Sequence, residues 1–205
     1  METHRQTASA VARNREPILD VLRSNLPKQG VALEIASGSG EHIVYLAAHF
    51  PELVFCPSDI DQGARQSIAA WTQTSGLQNV RAPLALDAAS ADWPLERADA
   101  ILCINMIHIS IWAATEGLFR GANRILAPGA PLYLYGAYKR AGAHTSQSNE
   151  EFDAWLRNKN PAWGVRDIEA VVECGVAHGF SEPQIIAMPA NNLSLIFRRR
   201  SATEA

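Results

Sequence analysis

Two rhythms of apolar residues alternate along the chain. After a polar opening, Ile18, Leu19, Leu22 and Leu26 recur at helical spacing. Pro17 suits the first turn of that helix, and Pro27 and Gly30 end it. Residues 31–36 then form a short continuous apolar run followed at once by Ser37-Gly38-Ser39-Gly40. Ile43, Leu46, Ala47 and Phe50 mark the next helix. Residues 53–56 read as a second strand that ends at Ser58-Asp59-Ile60-Asp61. A helix follows with Ile68 and Trp71 inward, and it stops at Gly76. Residues 80–86 give a third strand ending at Asp87, and residues 99–104 a fourth ending at Asn105. A helix over 111–126, a break at Pro128-Gly129 and a fifth strand over 132–135 complete the repeat.

Strands that are apolar throughout and alternate with helices predict a parallel sheet covered on both faces. The last part changes character. A helix over about 167–178 ends at Gly179, and residues 184–188 and 193–198 flank a turn at Asn191-Asn192. That pattern predicts an antiparallel hairpin closing one edge of the sheet. Residues 138–163 are an extra segment after the fifth strand. Ser148 with Glu151 carries a capping-box signature there, and Phe152, Trp155 and Leu156 share one helical face. An elaboration at that place sits on the edge where open α/β sheets bind ligands. No repeat or linker divides the 205 residues, so one domain is expected, with residues 1–16 as an N-terminal arm.

Composition narrows the function classes. Hydrophobic residues make up 47% and charged residues 19%, ordinary for a globular chain. A net charge of −3 argues against a nucleic-acid binder held by phosphate neutralisation. It also makes a solvated tail the better reading of Arg198, Arg199 and Arg200 than an RNA patch. Three separated cysteines offer neither a CxxC metal motif nor a disulfide framework, and no metal site is expected. The N-terminus lacks the apolar core of a signal peptide, and no apolar stretch is long enough to cross a bilayer. The expectation is a soluble, cytoplasmic protein without a membrane partner.

The chemistry concentrates at the strand ends. Glu34-Ile35-Ala36-Ser37-Gly38-Ser39-Gly40 runs from a strand through a tight turn into a helix, where glycine lets a ligand approach the main chain. Ile43 stands where a dinucleotide fingerprint needs its third glycine, and no lysine follows Gly40 as in a phosphate loop. The pattern suits a nucleoside ligand without a pyrophosphate, and it disfavours a nicotinamide oxidoreductase. Asp59 follows the glycine loop by about 20 residues, where an acid accepts ribose hydroxyls; it or Asp61 also precedes a helix and serves as a cap. Asp87 either meets the exocyclic amine of adenine or closes its own turn. Asn105-Met106-Ile107-His108 puts a polar cluster at the end of a buried strand. His108 is either a general base or a buried histidine bonded to backbone. Trp112, Trp155 and Trp163 read as packing filler sooner than as an aromatic cage.

Four strand ends converging on one sheet edge resemble a class I S-adenosylmethionine-dependent methyltransferase. Arg124-Ile125-Leu126-Ala127-Pro128-Gly129 before the fifth strand and the closing hairpin fit that class too. Further motifs resemble the methyltransferase-like 26 family, which carries a domain of unknown function. They are Arg13-Asn14 with Pro17-Ile18, Thr115-Glu116-Gly117-Leu118-Phe119-Arg120, Gln147-Ser148-Asn149, Asn160-Pro161, Trp163-Gly164 and Met188-Pro189-Ala190-Asn191-Asn192. Gly136-Ala137-Tyr138 departs from that family's pattern, which has proline at the middle position.

The resemblance implies a Rossmann-like fold. Its mostly parallel seven-stranded sheet would carry helices on both faces and a C-terminal antiparallel hairpin. It implies S-adenosyl-L-methionine as cofactor and in-line methyl transfer to a small-molecule acceptor. Gly38 and Gly40, with Ala36 and Ser37, would admit the cofactor, and Glu34 would order the loop or meet its ammonium group. Asp59 with Ile60 would hold the ribose, Asp87 with Ala88 would flank adenine, and Asn105 and Met106 would lie beside the sulfonium. Arg13 and Asn14 would close over the cofactor, Arg13 facing its carboxylate. The acceptor would meet His108, Tyr135, Tyr138 and the Phe152 helix, with His108, Asn105 and Tyr138 as the catalytic candidates. The alternative is a non-catalytic domain of the same fold that binds the cofactor or a protein.

Overall fold

The computed structural model describes residues 4–201; the first three residues of the expected arm lie outside them. The parallel strands form where the apolar runs require. They are β1 (Gly30–Ile35), β2 (Leu53–Asp59), β3 (Leu84–Ala85), β4 (Ala100–Ile104) and the first half of β5 (Pro131–Arg140). A C-terminal hairpin of β8 (Gln184–Met188) and β9 (Asn192–Arg198) adds to β5 in antiparallel sense. The order across the sheet is β3-β2-β1-β4-β5-β9-β8. Two further strands, β6 (Ala143–His144) and β7 (Arg166–Asp167), pair with the far end of β5. Among the described residues the sheet therefore has nine strands, seven along its main path, where seven were expected.

Alternation along each strand divides the core in two, because successive side chains point to opposite faces. On β4, Ile101 and Cys103 face one cluster while Ala100, Leu102 and Ile104 face the other. The first cluster packs against α4 (Trp112–Ile125) and α6 (Ile168–Ala177) through Leu118, Phe119 and Val171. The second packs against α1 (Ser9–Arg23) and α2 (Glu41–His49) through Ile18, Leu22, Ile43 and Leu46. The helix α3 (Gln62–Ser75) lies beside α2 and stops at Gly76 in the left-handed conformation.

Several local expectations give way to stronger constraints. The first helix begins at Ser9, so Pro17 sits in its interior and cannot donate to the Arg13 carbonyl. Val11 and Asn14 extend the buried stripe of Ile18 and Leu22, and the Ala8 N–H is held by Glu41 Oε2 at 2.7 Å. That packing outweighs the proline. The third strand shrinks to Leu84–Ala85, since Pro83 has no N–H for a ladder; Val80 adds only an isolated bridge to Phe55. Trp71 faces the N-terminal arm and not the core: its Nε1 donates to the Gln6 carbonyl (2.9 Å), and the Arg5 guanidinium lies 5.0 Å above its ring.

The segment after β5 is also tighter than expected. β5 continues to Arg140, so Tyr138 is a buried strand residue. The helix α5 (Gln147–Lys159) is capped by Ser146, whose Oγ accepts the Asn149 N–H (3.2 Å); Ser148 lies inside it. Asp153 on α5 anchors the whole segment. It meets Lys139 (3.1 Å), His144 (3.3 Å) and Arg157 (3.2 Å) and accepts the Val165 N–H (2.7 Å).

Arg198, Arg199 and Arg200 are pinned and not a tail. They donate to the carbonyls of Gly129, Asn123 and Val176, the last two near the C-terminal ends of α4 and α6. Cations belong there because helix C-termini leave carbonyls unpaired.

One glycine decides how β5 passes over the end of β4. A Cβ at Gly136 would collide with Nε2 of the fully buried His108. Gly136→Ala should lower stability by about 1–3 kcal/mol, the usual penalty for overpacking. Denaturant unfolding would read it as an earlier midpoint. An unchanged midpoint would mean that the imidazole has room to move aside.

Candidate active site

The strand order reverses between β1 and β4, which opens a crevice at their C-terminal ends. Both strands leave the sheet through a strained residue: Ala36 has φ 55° and Asn105 φ 63°. Side chains rarely adopt this left-handed conformation, and such strain gathers at binding sites. The glycine loop continues the turn with Gly38 (φ 56°) and Gly40 (φ 89°). A Cβ at Gly40 would stand 2.7 Å from the Cα of Ile68, so glycine is also what lets α2 pack on α3.

The turn is tied to the end of β2. Ser37 N–H donates to the Ser58 carbonyl (2.8 Å), Ser58 N–H to Ser37 Oγ (3.2 Å), and Ser58 Oγ to the Glu34 carbonyl (2.7 Å). Asp59 completes the link. Its Oδ2 accepts the Gly38 N–H (3.0 Å) and its Oδ1 the Asp61 N–H (2.9 Å), with the residue only 7% exposed. Asp61 is the N-cap of α3, accepting from Ala64 at 2.7 Å. Ile60, between them, is 66% exposed. Leu86 N–H reaches the Asp59 carbonyl (3.4 Å), which brings exposed Asp87 and buried Ala88 to the same edge. Asp87 also closes its own turn by accepting the Ala89 N–H (2.9 Å).

Glu34 is the unusual charge. It is 1% exposed, and its Oε2 has no hydrogen-bond partner among the described residues. Burial, aided by the nearby Asp59 charge and opposed by a hydrogen bond from Ser37, raises its pKa to about 7. A buried carboxyl with an open oxygen at a strand end fits a cationic ligand group.

Beside the crevice lies a cavity of about 400 Å³. Ala10, Arg13 and Asn14 of α1 form one wall with Asn105 and Tyr135. Phe152 and Asn149 of α5 form the other with Ala190 and Asn192 of the hairpin loop. Asn14 Oδ1 lies 2.8 Å from Nε2 of His42 on α2, which fixes α1 over the site. Burial and the neighbouring Arg15 lower the His42 pKa to about 4, so this histidine stays neutral.

Three expected residues are not brought to the cavity. His108 lies in a one-turn 3₁₀ segment, Met106–His108, that folds beneath β5. Its Nδ1 accepts the Arg166 N–H (3.4 Å), and its ring stands edge-on to Tyr138 at 5.1 Å. Burial and the Arg166 charge lower its pKa to about 3. It has neither the access nor the basicity of a general base, and it is a packed core histidine. Tyr138 is likewise fully buried, and the Met106 side chain belongs to the core. The three tryptophans form no cage: Trp112 packs on the core beside Glu116, Trp163 packs beside Leu156, and Trp155 is 53% exposed.

A sequence profile of the family described as "Protein of unknown function (DUF938)" matches residues 5–199. The chain belongs to this family. Solved structures with the same fold include an O-methyltransferase family protein from Burkholderia thailandensis, at TM-score 0.80 and 16% identity. That match covers 94% of this chain and 58% of the other. An O-methyltransferase family 2 protein from Planctomyces limnophilus, solved with apigenin, matches at TM-score 0.79 and 17% identity over 93% and 58%. Human N-acetylserotonin methyltransferase, solved with S-adenosylmethionine, matches at TM-score 0.75 and 13% identity over 94% and 53%. The chain thus spans little more than half the length of these proteins, and its own fold is a Rossmann-like methyltransferase fold. Among the described residues, no helix is long and apolar enough to cross a membrane, and no cluster of three or more His, Cys, Asp or Glu could hold a metal ion.

Glu34 gives this site a pH signature. The folded chain holds the Glu34 proton more tightly than the unfolded chain, so this group favours folding below its ordinary pKa of 4.5. That contribution is lost as pH rises through about 7. His42 and His108 act in the opposite sense below pH 6.5, because folding keeps them neutral. Glu34→Gln should therefore stabilise the ligand-free protein by about 3 kcal/mol at pH 8 and by little at pH 4.5. Thermal unfolding of both proteins at the two pH values checks this. Equal shifts at both would remove the buried charge as the cause.

Proposed function

We propose that this chain is an S-adenosylmethionine-dependent methyltransferase that acts on a small-molecule acceptor. The observation that carries the proposal is the crevice at the strand-order reversal, with Asp59 buried beside the glycine loop and the Glu34 carboxyl left open next to it. The match in fold to methyltransferases solved with S-adenosylmethionine and with apigenin supports the cofactor and the size class of the acceptor.

The residues fit the cofactor. Gly38 and Gly40, with Ala36 and Ser37, leave room for it along the backbone. Glu34 faces its ammonium group. Asp59 takes the ribose hydroxyls, with Ile60 exposed beside them, and Asp87 and Ala88 flank the adenine. Asn14 on α1 stands at the methionine end and Asn105 at the sulfonium, while Arg13, expected over the cofactor's carboxylate, lines the cavity on the acceptor side. The bound cofactor supplies an activated methyl electrophile. What remains for this chain is to align the acceptor and to exclude water, and alignment alone contributes several kcal/mol. Residues 138–163 provide the acceptor side, with Phe152 in the wall. One methyltransferase domain in a cytoplasmic protein, akin to the methyltransferase-like 26 family, completes the proposal.

Calorimetric titration with S-adenosylhomocysteine tests it directly. Binding is expected, and Asp59→Ala should weaken it at least about tenfold, since hydrogen bonds to a charged group contribute about 1.5–3 kcal/mol. Asp61→Ala should lose some helix stability and keep its affinity. A folded sample that ignores millimolar ligand, or that binds NADH in its place, would overturn the proposal.

A further inference from the structure

Among the described residues that line the cavity, Arg13 is the one charged side chain, and none carries a carboxylate or an imidazole. The histidine nearest in sequence to Asn105, His108, is sealed beneath β5 and stays neutral. Two hydroxyls line the cavity, that of exposed Ser148, which does not ionise near neutral pH, and that of Tyr135, 3% exposed. Burial raises its pKa, against smaller opposing effects of Asn14 and Arg13, so it is a hydrogen-bond donor at neutral pH and no base. The wall therefore offers a cation and neutral donors, and nothing that takes up a proton.

A phenol or an alcohol must lose a proton to become a good nucleophile, and an amine is protonated at neutral pH and repelled by a cation. A carboxylic acid arrives ionised. We infer that the acceptor is a small carboxylate, methylated on a carboxylate oxygen in the cavity between α1, α5 and the hairpin loop. The inference rests on the methyltransferase reading.

The step balances without a base. One carboxylate oxygen gives a lone pair to the methyl carbon and becomes an ester oxygen. The carbon–sulfur bond breaks, and its pair returns to sulfur, leaving a neutral thioether. No proton is released. A negative and a positive charge disappear together, which any site less polar than water favours. Phe152 and Ala190 supply apolar surface for the rest of the acid.

The test uses matched probes: 2-naphthoate against 2-naphthol, 2-(mercaptomethyl)naphthalene and 2-(aminomethyl)naphthalene, with a hexyl series built the same way. Binding to the protein is measured by calorimetry, both alone and with S-adenosylhomocysteine. The carboxylates should bind at least tenfold more tightly than their partners, and Arg13→Gln should remove that preference. With S-adenosylmethionine present, mass spectrometry should find an alkali-labile methyl ester, and an indicator assay should find no proton released per S-adenosylhomocysteine formed. A preference for the naphthol, thiol or amine, or one proton per turnover, would overturn the acceptor assignment and leave the methyltransferase standing. So would a sample that binds S-adenosylhomocysteine and esterifies no acid in either series. A folded sample that binds no S-adenosylhomocysteine at all would instead overturn the methyltransferase reading itself.

Discussion

Four hydrogen bonds between the turn after β1 and the end of β2 hold the crevice in shape: Ser37 N–H to the Ser58 carbonyl, Ser58 N–H to Ser37 Oγ, Ser58 Oγ to the Glu34 carbonyl, and Gly38 N–H to Asp59. Two parallel strands would otherwise part where their ladder ends. These bonds carry the pairing past the last ladder residues and into the glycine loop. They fix the backbone of that loop before any ligand arrives. They also orient Asp59, which links the loop to the start of α3. Pre-organisation of this kind lowers the ordering cost of binding.

The crevice is also where the fold departs from comfortable chemistry. Ala36 and Asn105 are held in the left-handed region on adjacent strands. Glu34 keeps a carboxyl oxygen buried without a partner. Each departure costs stability, and each lies at the reversal in strand order. The two apolar clusters on the sheet faces offset that cost through ordinary packing. Strain and open polar groups concentrated at one edge, over a well-packed base, describe a binding site more than an accident of folding.

Most of the sheet was legible because its strands are buried on both faces and read as continuous apolar runs. The glycine loop, Asp59 and Asp87 were legible because strand ends and turn residues sit next to each other in sequence. What the sequence hid depends on contacts between distant segments. Ser58 read only as the end of the second strand, and its burial against Glu34 and Ser37 shows in the structure alone. The pairing of Asn14 with His42 joins two helices whose mutual angle no local pattern gives. Pro17 misled because a helix start is its usual place, while Val11 and Asn14 were already extending the buried stripe. His108 left two readings open, a general base or a buried histidine, and the structure takes the second: a 3₁₀ turn rolls it under β5, where Gly136 leaves the room.

A crystal structure of the protein with S-adenosylhomocysteine would show whether Asp59 and the glycine loop hold the cofactor. The ribose hydroxyls should lie within hydrogen-bonding distance of the Asp59 carboxylate, the adenine beside Asp87 and Ala88, and the sulfur facing Asn105 and the cavity beyond it. A ligand seated elsewhere, or one held at the crevice without Asp59, would contradict this placement.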